Sequence, residues 1–258
     1  MPKSSEIVPS GPLGKLKPAA EAGEKGDYHR AVLLLRKLIS ETEAPAEAWL
    51  LLGRSFHALK DYSQALAAFN DYIRQKPDSA EGYLFFGRSC LAASMPYRAV
   101  PFLRKALEKS PGSSSVKALL GIAYLKSKNS SAAVEMLHAA VEDAPTNKRI
   151  YRAYINALMI RGIKLCGNED YEMGFQVLNF VLSNADEAGV ADSPILRLEL
   201  GRAARETGRL KESLKHFTAA LKLSDNDRRI RWSRASILMA LGKNDEARKD
   251  IEKIRSHD

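Results

Sequence analysis

Alanines recur at a fixed step of 34 residues, at Ala31, Ala65, Ala99 and Ala133. Gly53, Gly87 and Gly121 keep the same step, as do Pro77, Pro111 and Pro145. Such a period means that one supersecondary unit is used repeatedly, because a unit this short hides its apolar face only by stacking on its neighbours. Within each period the apolar residues fall three and four apart rather than alternating. That spacing predicts helices and leaves no strand segments, so the chain is expected to be all-α.

The stretch 46–79 shows the pattern most fully. It carries Trp49 at its fourth place, Leu52-Gly53 at seven and eight, Phe56 at eleven and Ala65 at twenty. Phe69, Tyr72 and Pro77 follow at twenty-four, twenty-seven and thirty-two. At all these places it resembles the tetratricopeptide repeat. Gly53 and Ala65 are small, so two antiparallel helices can cross closely, while the aromatics fill the seam and Pro77 ends the second helix. The resemblance implies a right-handed α-solenoid of about seven helix-turn-helix units. Residues 1–11 are expected to be a flexible tail, 12–147 to hold units one to four, and 191–258 units six and seven, ending in a polar helix. The first helix of unit one, at 13–24, is expected to be weak because Pro18 interrupts it.

Unit five, at 148–190, is irregular. Its small residue arrives at Gly174, 41 residues after Ala133 instead of 34. Seven extra residues are about two helical turns, so longer helices are expected at 148–165 and 171–184.

Composition narrows the function. The 258 residues are 45% hydrophobic and 28% charged, which suits a globular chain. No run of 18 apolar residues exists, so membrane insertion is not expected, and the N-terminus has no apolar run of signal-peptide length. Cys90 and Cys166 cannot staple a chain this long, and the expected address is the cytoplasm. No phosphate-binding loop, nucleophile elbow or paired-cysteine motif occurs, and the five histidines are scattered singly. No enzyme activity, metal or cofactor is expected. Cys90 reads as a packing residue, and nothing in the pattern makes Cys166 reactive. The net charge of +9 leans towards the C-terminal third.

In the tetratricopeptide repeat family the first helices line an inner groove through places two, five, six, nine, twelve and thirteen. Carried over, these places give Leu50, Leu51, Arg54 and His57 in unit two and Leu84, Phe85 and Arg88 in unit three. Leu119 follows in unit four, and Arg152, Asn156, Arg202 and Trp232 in the C-terminal units. An apolar strip with two arginines one repeat apart suits another protein, offered as an apolar peptide or helix with acidic groups. The family's clamp for acidic chaperone tails has no counterpart in units two to four, and Glu199 would repel a carboxylate in the later units. The alternatives are an RNA-binding helical-repeat protein, for which stacking aromatics are sparse, or the regulatory region of a longer enzyme. Burial of the strip under the N-terminal tail also stays open. Any self-association is expected to use the N-terminal unit or unit five.

Overall fold

The computed structural model describes residues 14–41, 43–225 and 227–255. The expected tail at 1–11 lies outside them. Among the described residues there are fourteen α-helices, one short 3-10 turn at Gly14–Leu16 and no strand. The chain divides into two compact units, residues 1–128 and 129–258.

The N-terminal unit contains α1 (Lys17–Glu24), α2 (Tyr28–Glu41), α3 (Ala46–Ala58), α4 (Tyr62–Gln75), α5 (Ala80–Ala92), α6 (Pro96–Lys109) and α7 (Ser114–Lys126). Consecutive helices pack on one another, and the first helices α1, α3, α5 and α7 also touch along one side. Pro18 does not interrupt α1, contrary to expectation. It sits in the first turn, where a missing N–H costs nothing and the fixed φ suits helix entry. Each hairpin turn needs one left-handed residue, filled in order by Gly26, Lys60 and Ser94. The Asp61 side chain then accepts from the Gln64 N–H and caps α4.

The helix crossings explain the periodic glycines. A Cβ built on Gly53 would lie 2.5 Å from the Phe69 ring, and one on Gly87 would lie 2.5 Å from Leu103. In each pair the large partner stands sixteen residues after the glycine and is fully buried. Phe86 stacks on Phe102 at 3.8 Å between ring centroids and fills the next seam.

The C-terminal unit contains α8 (Ser130–Asp143), α9 (Lys148–Gly167), α10 (Tyr171–Ala188), α11 (Pro194–Glu206), α12 (Leu210–Leu223), α13 (Arg228–Ala240) and α14 (Asn244–Arg255). Helices α9 and α10 have 20 and 18 residues, against 12 to 14 for the others of this unit. The lengthening of unit five is therefore real. Helix α10 runs on to Ala188, past the expected end at 184, and stops where Gly189 adopts φ 63°.

The crossing of this long pair is the ordinary one. Gly162 faces Leu178, sixteen residues on, just as Gly201 faces Phe217. Gly174 approaches the Cys166 sulfur from the other helix. The small-residue spacing of Gly53 and Ala65 is kept by Gly162 and Gly174, so the seven added residues lie at the N-terminal end of α9. There the Tyr151 hydroxyl donates to Asn184 at 3.0 Å and ties the added turns together.

The last hairpin is sealed differently from the others. On α14, Ala247 and Asp250 are buried, whereas Ile251 and Ile254 are only half-buried. Asp250 is 2% exposed and accepts from both Arg234 and Arg231, the latter itself 6% exposed. Arg231 stands at the place that Trp49 fills in the N-terminal unit. The seam there is sealed by an ion cluster in place of an aromatic ring.

Candidate functional site

In the N-terminal unit α1, α2, α3 and α5 line an open cavity of about 340 Å³. Leu51, Ala58 and Phe85 give it apolar walls, and Arg54, Arg88 and His57 bring nitrogen donors. Phe85 is the anchor of this arrangement. Its ring stacks on the buried Phe69 ring at 5.7 Å, and the Arg54 guanidinium lies 5.4 Å from its centre. A cation held over an aromatic face keeps its charge available while losing little freedom.

Among the described residues the ion pairs of this unit are made elsewhere, between Lys37 and Glu41, Arg74 and Asp71, Lys76 and Glu47, and Lys109 and Asp78. Among the described residues neither Arg54 nor Arg88 is paired with a carboxylate, and both are exposed. His57 Nδ1 lies 2.8 Å from the hydroxyl of Ser89, which is fully buried. Burial, and then the neighbouring Arg88 charge, push the His57 pKa below its usual value, so the ring is neutral near pH 7.

The structure corrects two expected groove residues. Leu50 is only 7% exposed and is not part of a free strip. Leu84, at the same place one repeat on, packs against the cluster of Tyr83, Ala106 and Val116. Packing between helices takes up both side chains. Leu51, Arg54, Phe85 and Arg88 do surround the cavity, while Leu119 is half-buried on α7 and does not line it.

The C-terminal unit differs. Because the crossing glycine of α9 is Gly162, its groove places shift by seven residues, from Arg149 and Arg152 to Asn156, Met159, Ile160 and Ile163. Arg152 instead joins Lys148, Arg149, Asp186 and Glu187 around a separate 300 Å³ recess at the added turns. Arg202 donates to both oxygens of Glu199 at 3.1 and 2.9 Å, and Arg205 pairs with Glu206. Arg229 is paired with Asp227, and Arg197 with Asp192. Trp232 is 61% exposed, and Ile195 and Ile160 on the neighbouring first helices are 61% and 45% exposed.

Sequence reasoning missed Ile160 and Ile195, and it missed Glu24 and Tyr28, which complete the N-terminal cavity. The constant spacing from each crossing glycine to the next small residue points to Gly162 upstream of Gly174, and that register finds Ile160. Both cysteines are fully buried, and burial raises each thiol to about 11, so neither is a thiolate near neutral pH. Among the described residues no cluster of His, Cys, Asp or Glu could hold a metal, and no helix is long and apolar enough to cross a membrane.

Two sequence models described as tetratricopeptide repeat match the chain, one over residues 19–80 and 198–256 and the other over 91–155. No curated protein sequence matches it. Among solved structures, MamA RS-1 in a double-mutant form is similar with a TM-score of 0.57 and 16% identity, covering 72% of this chain and 100% of its own. A tetratricopeptide repeat protein from Parabacteroides merdae gives 0.55 and 14%, covering 95% and 92%. YrrB, described as a TPR protein with an unusual peptide-binding site, gives 0.51 and 17%, covering 72% and 90%. At these identities the likeness is one of fold.

Proposed function

Because the chain belongs to the tetratricopeptide repeat family, we propose that it is a protein-interaction scaffold whose N-terminal first helices grip a partner segment. The segment is a peptide or helix with apolar anchors and acidic groups. The observation that carries this reading is the pair Arg54 and Arg88, exposed and without carboxylate partners beside a cavity walled by Leu51 and Phe85. An arginine fork pairs with a carboxylate in two parallel hydrogen bonds, and the apolar walls take the rest of the side chain. YrrB's described peptide-binding site fits the same use of the fold.

The C-terminal first helices offer a second, apolar surface through Trp232, Ile195 and Ile160, with Asn156 and the Arg202–Glu199 pair between them. Exposed Trp residues with apolar neighbours are common anchors at protein interfaces. RNA binding is not favoured, since Arg197, Arg202, Arg205 and Arg229 of this unit are engaged by Asp192, Glu199, Glu206 and Asp227. The reading assigns the chain no catalytic role, sets it in the cytoplasm and gives any self-association to the N-terminal unit or unit five. Leu33, 69% exposed on α2, supports the former.

The test is the affinity of acidic, apolar-anchored peptides for the wild type and for the Arg54→Ala, Arg88→Ala double variant. A loss of roughly 2 to 5 kcal/mol is expected if the bound carboxylate is desolvated. Unchanged affinity with intact helicity would overturn the assignment.

A further inference from the structure

Two hairpins of the stack show how a finished pair of helices receives the first helix that follows it. In the N-terminal unit Leu84 of α5 and Ala106 and Leu107 of α6 pack in one cluster with Val116 of α7. In the C-terminal unit Leu198 of α11 and Ala220 and Leu221 of α12 pack in one cluster with Ile230 and Ile237 of α13. The places within the repeat are the same in both. One 34-residue step after Leu198, Ala220 and Leu221 stand Trp232, Ile254 and Arg255 of the last hairpin.

Among the described residues no first helix follows α14. Trp232 is 61% exposed, and Ile254 is half-buried where Ala220 is fully buried. Ile251 is half-buried as well, whereas Phe69, Leu103 and Phe217 at the same place are fully buried. Two further places change in kind. Leu214 and Leu221 are succeeded by Arg248 and Arg255, both exposed and neither ion-paired among the described residues. The joint is thus an apolar patch edged by two arginines about two helical turns apart. Polar residues alone would finish a stack in water. An indole left open beside them does not, and tryptophan and arginine are the residue types that most often anchor a protein partner.

We propose that this open end receives an amphipathic helix of a partner protein, seated where the first helix of a further unit would lie. Aliphatic residues seven apart on that helix, in the manner of Ile230 and Ile237, cover Trp232, Ile251 and Ile254. Acidic residues beside them pair with Arg248 and Arg255. A second copy of the chain is a poor occupant. Its outermost first helix carries Gly14 and Glu21 at the places of Ile230 and Ile237, and these leave the indole and Ile254 without apolar partners. The proposal does not depend on the N-terminal cavity, and Trp232 borders both this end and the first-helix surface described above.

The test uses the full chain and a synthetic helical peptide of about sixteen residues, with two isoleucines seven apart and glutamates on both flanks of that stripe. Binding is read from the indole N–H NMR signal of Trp232, one of two in the chain, assigned by Trp232→Phe. We expect that signal to move saturably while the Trp49 signal stays in place. The same peptide with glutamine for glutamate should bind about three- to tenfold more weakly. Arg248→Ala with Arg255→Ala should lower the affinity for the glutamate peptide by that factor and leave the glutamine peptide unaffected. Arg54→Ala with Arg88→Ala should change neither, which separates this end from the groove. Equal affinity for the two peptides, no movement of the Trp232 signal, or loss of binding in the Arg54→Ala, Arg88→Ala protein would each overturn the proposal. A Trp232 signal that moves when the chain is concentrated without peptide would assign the end to a second copy and overturn it as well.

Discussion

The two halves of the molecule use arginine in opposite ways. In the N-terminal unit the seams are aromatic, with Phe69, Phe86 and Phe102 packed between helices, and Arg54 and Arg88 stay outside them. In the C-terminal unit two seam places are themselves arginines. Arg197 is held by Asp192, and Arg231 shares buried Asp250 with Arg234. At groove places of this half Arg202 and Arg205 are likewise held by Glu199 and Glu206, whereas Arg54 and Arg88 beside the N-terminal cavity have no carboxylate partner among the described residues. Charge counts along a chain describe its potential at a distance, whereas recognition depends on which charges lack a partner.

The contrast is most easily broken at Asp250. Asp250→Ala strips the half-buried Arg234 of its carboxylate and leaves buried Arg231 with Asp225 alone, and we expect a loss of about 3 to 5 kcal/mol in chemical denaturation. A loss under about 1 kcal/mol would mean that Arg231 finds water and the seam is not sealed by ions.

His216 gives the next largest effect. It is 5% exposed, its Nδ1 has no partner among the described residues, and burial with help from Arg197 and Lys215 lowers its pKa to about 4. A depressed histidine is neutral in the fold and protonates first in the unfolded chain. Its contribution is therefore complete above pH 6.5 and lost as pH falls towards 4, by up to about 3 kcal/mol. Urea unfolding at pH 7.5 and 5.0 checks this, and His216→Leu should remove most of the difference. A C-terminal unit equally stable at both values would contradict it.

Glycine crossings sharpen the comparison, because both units share them. Gly53→Leu and Gly162→Leu should each cost about 1 to 3 kcal/mol or more, since even a Cβ meets Phe69 or Leu178. A Gly162→Leu protein that melts like the wild type would put the register of α9 in error. Smallest of all, Arg88→Ala should change the unfolding free energy by less than about 0.5 kcal/mol and Arg54→Ala, which loses the Phe85 ring contact, by less than about 1 kcal/mol.

Much of this was legible in the sequence. The 34-residue step showed Gly53, Gly87 and Ala65 as crossings, because only small residues let two helices meet there. Arg54, Phe85 and Arg88 could be placed near one another from the repeat register alone. Leu50 and Leu84 could not be assigned correctly, because helical periodicity gives the face of a residue and not whether a neighbouring helix covers that face. Arg152 was misplaced because seven residues entered before Gly162, and the period resumes only afterwards. Asp250 stayed hidden for a different reason. A carboxylate on a helix rich in Lys and Arg reads as solvated, and only the fold brings Arg231 and Arg234 onto it.

The central claim is that Arg54 and Arg88 are free to bind, while Arg202 and Arg205 at the groove places of the C-terminal unit are engaged within the chain. The direct measurement is the affinity of one glutamate-bearing, apolar-anchored peptide for three proteins: the wild type, Arg54→Ala with Arg88→Ala, and Arg202→Ala with Arg205→Ala. We expect the first pair of changes to abolish most of the binding and the second to alter it less than about threefold, since Glu199 and Glu206 already hold those side chains. Equal losses from both pairs, or a larger loss from Arg202 and Arg205, would contradict it.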